Sequence, residues 1–414
     1  MKFSKYKLGE LLRVTRGASL PGTGYADEGR YLRLTLANFL EEGGFKDFKS
    51  TQGKYFVEAF DNRFLMHKGD LITPLTEQSP GLLGSVAFIP CDDLYIQSQD
   101  VGLITCNSEK LDKTFAYYLF LTRSVREQIS ARSQQTKIRH TSPDKIADVE
   151  VYLPDLPTQL RIAGILGSLD EKIELNHRKI AELEALAKTI YDYWFVQFDF
   201  PDKNGKPYRS SGGKMVWNEQ LKREIPAGWC NGKLSDIAYY ASDKLQSNAI
   251  PLENYVTTDS MLQNKQGRDI ATSLPPPGTS IVCFCESDTL VANIRPYLQK
   301  IWFSNVQGGC SQDVLVFRAK KSCVPTFLYS TLWQDNFFDY VMTGAKGSKM
   351  PRGDKDHIMS YPLALPVESL LSQYNKIVGD FWSRRNFALL QITELTALRD
   401  LLLPLLMNGQ VVVK

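Results

Sequence analysis

Two windows of this sequence hold side chains suited to a polyanion. Residues 123–140 contain Arg123, Arg126, Arg132, Lys137 and Arg139 against Glu127 alone, and residues 346–355 contain Lys346, Lys349, Arg352 and Lys355 against Asp354. Each holds a polar stretch that reads as a loop, Ser133-Gln-Gln-Thr-Lys-Ile-Arg139 and Gly344-Ala-Lys-Gly-Ser-Lys-Met-Pro-Arg352. Arg and Lys on such loops can hold phosphates, and Arg or Gln can pair with base edges in the major groove. The candidate DNA contacts are Arg132, Gln134, Gln135, Lys137 and Arg139 in the first window. In the second they are Lys346, Ser348, Lys349, Arg352 and Lys355. One such window alone reads better as a solvated loop; two at equivalent places argue for DNA. A third element, residues 288–300, adds Asn293, Arg295, Tyr297 and Lys300, with Pro296 fixing the local chain direction. Its counterpart, residues 70–78, offers Thr73, Thr76 and Gln78. A different polar set inside a shared frame is what two readers of different sequences need.

Catalytic groupings do not emerge. Gly344-Ala-Lys-Gly-Ser-Lys349 has the wrong spacing for a phosphate loop, and no glycine-rich dinucleotide fingerprint follows a strand. Pro275-Pro-Pro277 follows a leucine and precedes no aromatic, unlike the motif of amino-methyltransferases. Asp170-Glu171-Lys172 lies within a helical heptad pattern and is expected to make surface ion pairs rather than a nuclease centre. His67, His140, His177 and His357 lack metal-ligand spacing, and Cys283 and Cys285 have no second ligand pair near them in sequence. No catalytic residue and no metal ligand is assigned. The seven cysteines are odd in number and scattered, which points to reduced thiols.

The elements that must position these loops are duplicated. Lys137-Ile138, Asp144, Ile146 and Val151-Tyr-Leu-Pro154 recur 212 positions later as Lys349-Met350, Asp356, Ile358 and Leu363-Ala-Leu-Pro366. Ser98-Gln-Asp-Val101 recurs at an offset of 213 and Lys7-Leu8-Gly9-Glu10-Leu11 at 226. The matches keep their order, so the chain is a tandem pair of domains. Runs such as Val86-Ala-Phe-Ile89 and Ile281-Val-Cys-Phe284, with short helices near 115–128 and 327–340, make each an α+β domain. The expected boundaries are 1–153 and 230–366, with spacer helices at 154–200 and 367–414 and a linker at 201–229.

The first helix is expected to open with Thr158 as N-cap. Its seam is Leu166, Leu169, Ile173, Asn176, Ile180, Leu183, Ala187, Ile190 and Trp194, in alternating steps of 3 and 4. The second seam reads Ile377, Phe381, Arg384, Ala388, Gln391, Leu395, Leu398, Leu402 and Leu405. Such seams suit either packing on the home domain or pairing as an antiparallel coiled coil. Two of equal length favour the pairing, with pseudo-twofold symmetry. Asn176 and Gln391 are the polar positions that would fix its register. Pro201-Asp-Lys-Asn-Gly205 and Ser210-Ser-Gly-Gly213 are loop chemistry.

Length and balance agree with a soluble protein of several domains: 414 residues, 43% hydrophobic, 23% charged, net charge +3. No apolar run suits a membrane span or a signal peptide, so the cytoplasm is the expected compartment.

Gln159-Leu-Arg-Ile162 through Leu169-Asp170, Lys172-Ile173, Asn176 and Trp194-Phe-Val-Gln-Phe198 resembles the central helix of type I restriction–modification specificity subunits. Asn204-Gly-Lys-Pro-Tyr208, Ser211-Gly-Gly213, Trp217 and Ile225-Pro-Ala-Gly-Trp229 are similar to that family's entry into its second recognition domain. Asn293-Ile-Arg-Pro-Tyr297 and Lys349-Met-Pro-Arg352 also resemble family patterns. The resemblance implies that each domain reads half of a split double-stranded DNA target. It implies that two modification subunits bind the helices and carry S-adenosylmethionine, and that restriction subunits add ATP- and magnesium-dependent translocation and cleavage. The helices would set the spacer, and this chain would be non-catalytic. The rival readings are a fused methyltransferase or nuclease, and a coiled-coil scaffold without nucleic acid.

Overall fold

The computed structural model of the chain describes residues 3–46, 54–78, 81–133 and 139–411. It separates into two units, Met1–Leu175 with Ile392–Lys414, and Asn176–Gln391.

In the first unit the β-branched runs form a sheet in the order Leu12–Arg16, Val101–Cys106, Leu71–Pro74, Ala87–Phe88. A second sheet joins Tyr25–Ala26, Tyr55–Phe56, Tyr31–Arg33 and Tyr95–Ile96. Helices α1 (Lys113–Leu121), α2 (Arg123–Arg132) and α3 (Pro143–Ala147) bury Phe115, Phe120, Val125 and Ile146 in one core with Leu71 and Ile104. The helical stretch expected near 115–128 is thus two helices, because Thr122 is extended at ψ 143°. Ser4–Lys7 pairs with Glu150–Leu153, so the start of the domain is tied to its end. Helix α4 (Leu156–Tyr191) follows.

The second unit repeats the plan. Its first sheet runs Ala238–Tyr240, Val314–Ala319, Thr289–Ala292, Ile301–Phe303. Helices α5 (Leu234–Ile237), α6 (Pro325–Leu332), α7 (Asp335–Thr343) and α8 (Lys355–Met359) pack around it, and α9 (Glu368–Met407) follows. The repeat is written into the ladders. Leu71 faces Ile104 where Thr289 faces Phe317, and Ser4 faces Leu153 where Cys230 faces Leu365. The 201–229 segment, read above as loop, contains a hairpin, Met215–Asn218 with Arg223–Pro226. Aromatic burial holds it: Phe200 stacks on Tyr208 at 4.7 Å and on Trp229 at 5.5 Å.

Helix α4 begins two residues before the expected cap. Asp155 does the capping, its carboxylate accepting the N–H of Thr158 at 3.1 Å, and the Thr158 hydroxyl together with that N–H holds the Asp155 carboxyl below its usual range. A π-helical turn, Asp192–Val196, ends the element and turns the adjacent Trp194 and Phe195 both inward. None of the nine seam positions of α4 is exposed. In α9 the seam differs from the expectation. Ala388 is buried and Phe381, Gln391, Leu395, Leu402 and Leu405 are half-buried as expected, but Ile377, Arg384 and Leu398 are exposed, while Val378 and Trp382 are buried and Arg385 is half-buried. Packing is led by Tyr374, Val378 and Trp382 in steps of four, which carries the buried face one residue past Ile377 and Arg384.

The two helices meet antiparallel within each unit. In the second, Glu184 pairs with Arg385 at 2.5 Å, and seven residues on, Tyr191 meets Tyr374 with ring centroids 6.4 Å apart. In the first, Asp170 pairs with Arg399 at 3.0 Å while Ile162 and Leu166 share a core with Leu406 and Met407. Asp170 also accepts from the Tyr118 hydroxyl at 2.6 Å, so it is an interhelical residue rather than a surface partner of its own helix. Asn176 is buried and Gln391 half-buried, and no hydrogen bond between them is present among the described residues.

Candidate nucleic-acid interface

In the second unit the chain leaves the sheet at Asn293 and is met by the hairpin that follows α7. Ile294 and Lys346 each form a β-bridge with Arg352. The Arg295 N–H donates to the Pro351 carbonyl at 2.8 Å, and the Gly353 N–H donates to the Asn293 carbonyl at 3.2 Å. Two motifs remote in sequence therefore become one surface. Arg295 sits at φ +52°, immediately before Pro296, in the left-handed region that side chains avoid. Such strain costs ~1–3 kcal/mol and persists where surrounding contacts enforce it. Asn293 and Pro296 are buried beneath; Arg295, Tyr297, Lys349, Met350 and Arg352 face outward.

The cations of this surface differ in freedom. Arg352 leans on Asp313 at 3.2 Å yet stays exposed. Lys346 pairs with Asp354 at 2.6 Å. Together with the N–H of His357, Lys346 holds the Asp354 carboxyl down to about 2. Asp354 is also the N-cap of α8, accepting from the N–H groups of Asp356 and His357. Lys300 is turned inward, its ammonium donating to the Thr258 carbonyl at 2.6 Å. Lys355 is exposed, with its ammonium 5.9 Å from the Tyr240 ring centroid. Ser348 is exposed on the hairpin, and Arg295 and Lys349 point outward beside it. The result is a cationic, aromatic-tipped ridge suited to phosphates and base edges.

The first unit treats the equivalent residues otherwise. His140 stands at the repeat position of Arg352, and its neighbour Arg139 pairs with Glu77 at 2.8 Å and donates to Ser130 and Ser133. Glu77 is 1% exposed and also accepts the N–H groups of Gly81, Leu82 and Leu83. Thr73 is buried and donates to the Ser85 carbonyl at 2.8 Å, and Thr76 is buried in a two-residue strand pairing with Arg139–His140. Arg132 donates to Gln128, Arg126 to the Gly81 carbonyl, and Arg123 pairs with Glu127. The basic run of this half is mostly helix α2, and its described cations are occupied within the protein. Gln134, Gln135 and Lys137 lie outside the described residues. Gln78 is exposed and lines a groove with Arg33, Thr35, Glu41 and Asp100. Sequence reasoning missed Arg33, Asp100 and Asp313. The two aspartates were within reach, because Ser98-Gln-Asp-Val101 and Ser311-Gln-Asp-Val314 place them at one position of the repeat.

Residues 2–185 match a family model described as the type I restriction modification DNA specificity domain. The MjaIX specificity subunit of Methanocaldococcus jannaschii is 24% identical over 317 residues, covering 72% of this chain and 68% of the relative. The HindI specificity subunit of Haemophilus influenzae is 23% identical over 403 residues, covering 83% of this chain and 87% of the relative. The crystal structure of the type I restriction–modification S subunit from M. genitalium aligns over 98% of this chain and 96% of that one. Its TM-score is 0.60 at 16% identity, a likeness of fold.

Proposed function

We propose that the chain is a specificity subunit of a type I restriction–modification enzyme and that it binds duplex DNA through one reading surface per unit. In the second unit that surface is Arg295, Tyr297, Lys349 and Arg352. The observation that carries this assignment is the meeting of the 293–297 loop with the 346–352 hairpin, which aims unburied cations outward from a strained and buttressed backbone. Lys300, Arg139, Thr73 and Thr76 are framework in this reading.

The chemistry lies in partner subunits. Two modification subunits bind the helices and use S-adenosylmethionine, and restriction subunits use ATP with magnesium. This chain selects the site, and its place of work is the cytoplasm. Support comes from the match of residues 2–185 to the type I restriction modification DNA specificity domain.

The test is duplex binding by a Lys349→Ala/Arg352→Ala double variant, measured by fluorescence anisotropy at several salt concentrations. Weaker binding with a shallower salt slope is expected, because each phosphate contact releases counterions. Unchanged affinity and slope remove this surface from the interface.

A further inference from the structure

Asp313 supports Arg352 in the second unit, and Asp100 is its repeat equivalent in the first. The repeat counterpart of Arg352 is His140, and the guanidinium next to it, Arg139, is engaged by Glu77. The guanidinium beside Asp100 comes instead from the other sheet: Arg33, at the end of strand Tyr31–Arg33, lies 3.8 Å from the Asp100 carboxylate. Its guanidinium carbon is 5.2 Å from the Tyr25 ring centroid. Its Nε is buried and has no hydrogen-bond partner among the described residues. A guanidinium has five N–H donors, and an ion pair at 3.8 Å is too long to satisfy them. Arg33 is held in place and left with unused donors.

We propose that Arg33, with Gln78 across the same groove, reads a purine edge in the half-site bound by the first unit. This rests on the reading of that unit as a DNA reader. The groove's other charges decide between base and phosphate. Asp100 and Glu41 line it with Arg33. Two carboxylates repel a phosphate, whereas a base edge is neutral and supplies acceptors and donors. An Arg fork matches guanine O6 and N7, and a Gln amide matches adenine N6 and N7. Tyr25 and Asp100 fix the plane of the fork before DNA arrives, which lowers the ordering cost of binding.

The experiment uses the full chain assembled with its modification subunits. Arg33→Lys keeps the charge beside Asp100 and removes the planar fork; Gln78→Ala removes the amide from an exposed position. Methylated motifs are mapped on genomic DNA, and affinity is measured on a cognate and an unrelated duplex. Arg33→Lys should lower cognate affinity about 5- to 150-fold and leave the unrelated duplex unchanged. One position should relax in the half-site that moves when residues 1–153 are exchanged, and Gln78→Ala should relax the same position or its neighbour. An unaltered motif for both variants overturns the assignment, as does an equal loss on both duplexes or relaxation in the other half-site. Failure of the underlying reading is a different result: the wild-type complex would then methylate no motif that depends on residues 1–153.

Discussion

Arg139 and Arg352 stand in corresponding segments of the two halves, one residue apart in the repeat, and have opposite tasks, which makes them a paired test. Arg139 neutralises Glu77, a carboxylate 1% exposed, so Arg139→Ala strands a buried charge. Losing one partner of such a pair costs about 3 kcal/mol, which urea unfolding should register. Arg352→Ala should leave the unfolding midpoint within about 0.5 kcal/mol of wild type and weaken DNA binding instead. If Arg352→Ala destabilises as much as Arg139→Ala, both are framework. Asp354 gives a second test at this scale. Lys346 and the N–H of His357 hold its carboxyl down to about 2. A depressed carboxylate contributes stability that is complete above the usual value of 3.8 and is lost as pH falls through about 2. The Asp354 side-chain carbon signal should therefore titrate near pH 2, and in Lys346→Ala its midpoint should move up towards 3.8. The types of these residues were legible in the sequence, but their allegiance was not. Glu77 was the available signal: a carboxylate closing the run Leu71-Ile-Thr-Pro-Leu-Thr-Glu77, which the sheet buries throughout, needs a cation.

The helices show where periodicity succeeds and where it stops. The seam of α4 was legible because Leu, Ile and Ala repeat on it without a competing stripe. On α9 two stripes run side by side, Ile377 with Arg384 and Val378 with Arg385, and hydropathy alone does not choose between them. Packing chooses Val378, which is 0% exposed, over Ile377, which is 38% exposed. Val378→Ala should cost about 2 kcal/mol in urea unfolding and Ile377→Ala under about 0.5. Equal costs would restore the other register. Arg385 follows the same logic. Its stem lies along Trp382, with the guanidinium carbon 5.2 Å from the ring, and its Nε meets Glu184 at 2.5 Å. Arg385→Ala removes packing as well as charge and should cost ~1–3 kcal/mol. Glu184 is 42% exposed in its side chain, so Glu184→Gln should cost under about 1 kcal/mol.

At the scale of the whole chain, duplication was legible because order and offset survive where identity does not, and the strand ladders keep the same offsets. The proposed function of the helices as a spacer rests on their register. Asp170 to Glu184 is fourteen residues forward along α4, and Arg399 to Arg385 is fourteen residues back along α9. Fourteen residues are two heptads, so one heptad inserted into each helix between its two ion-pairing residues keeps both pairs and both buried faces in phase. Each insertion adds roughly 10 Å at 1.5 Å per residue. At about 3.4 Å per base pair, the preferred spacer should lengthen by roughly 3 base pairs with both half-sites unchanged. Inserting four residues into each helix instead rotates one end of the seam away from its partner and should destabilise the protein rather than lengthen the spacer. The readout is the methylated motif produced by each variant with its modification subunits. Methylation that persists on the original spacer after the heptad insertion would show that something other than the helices sets the distance.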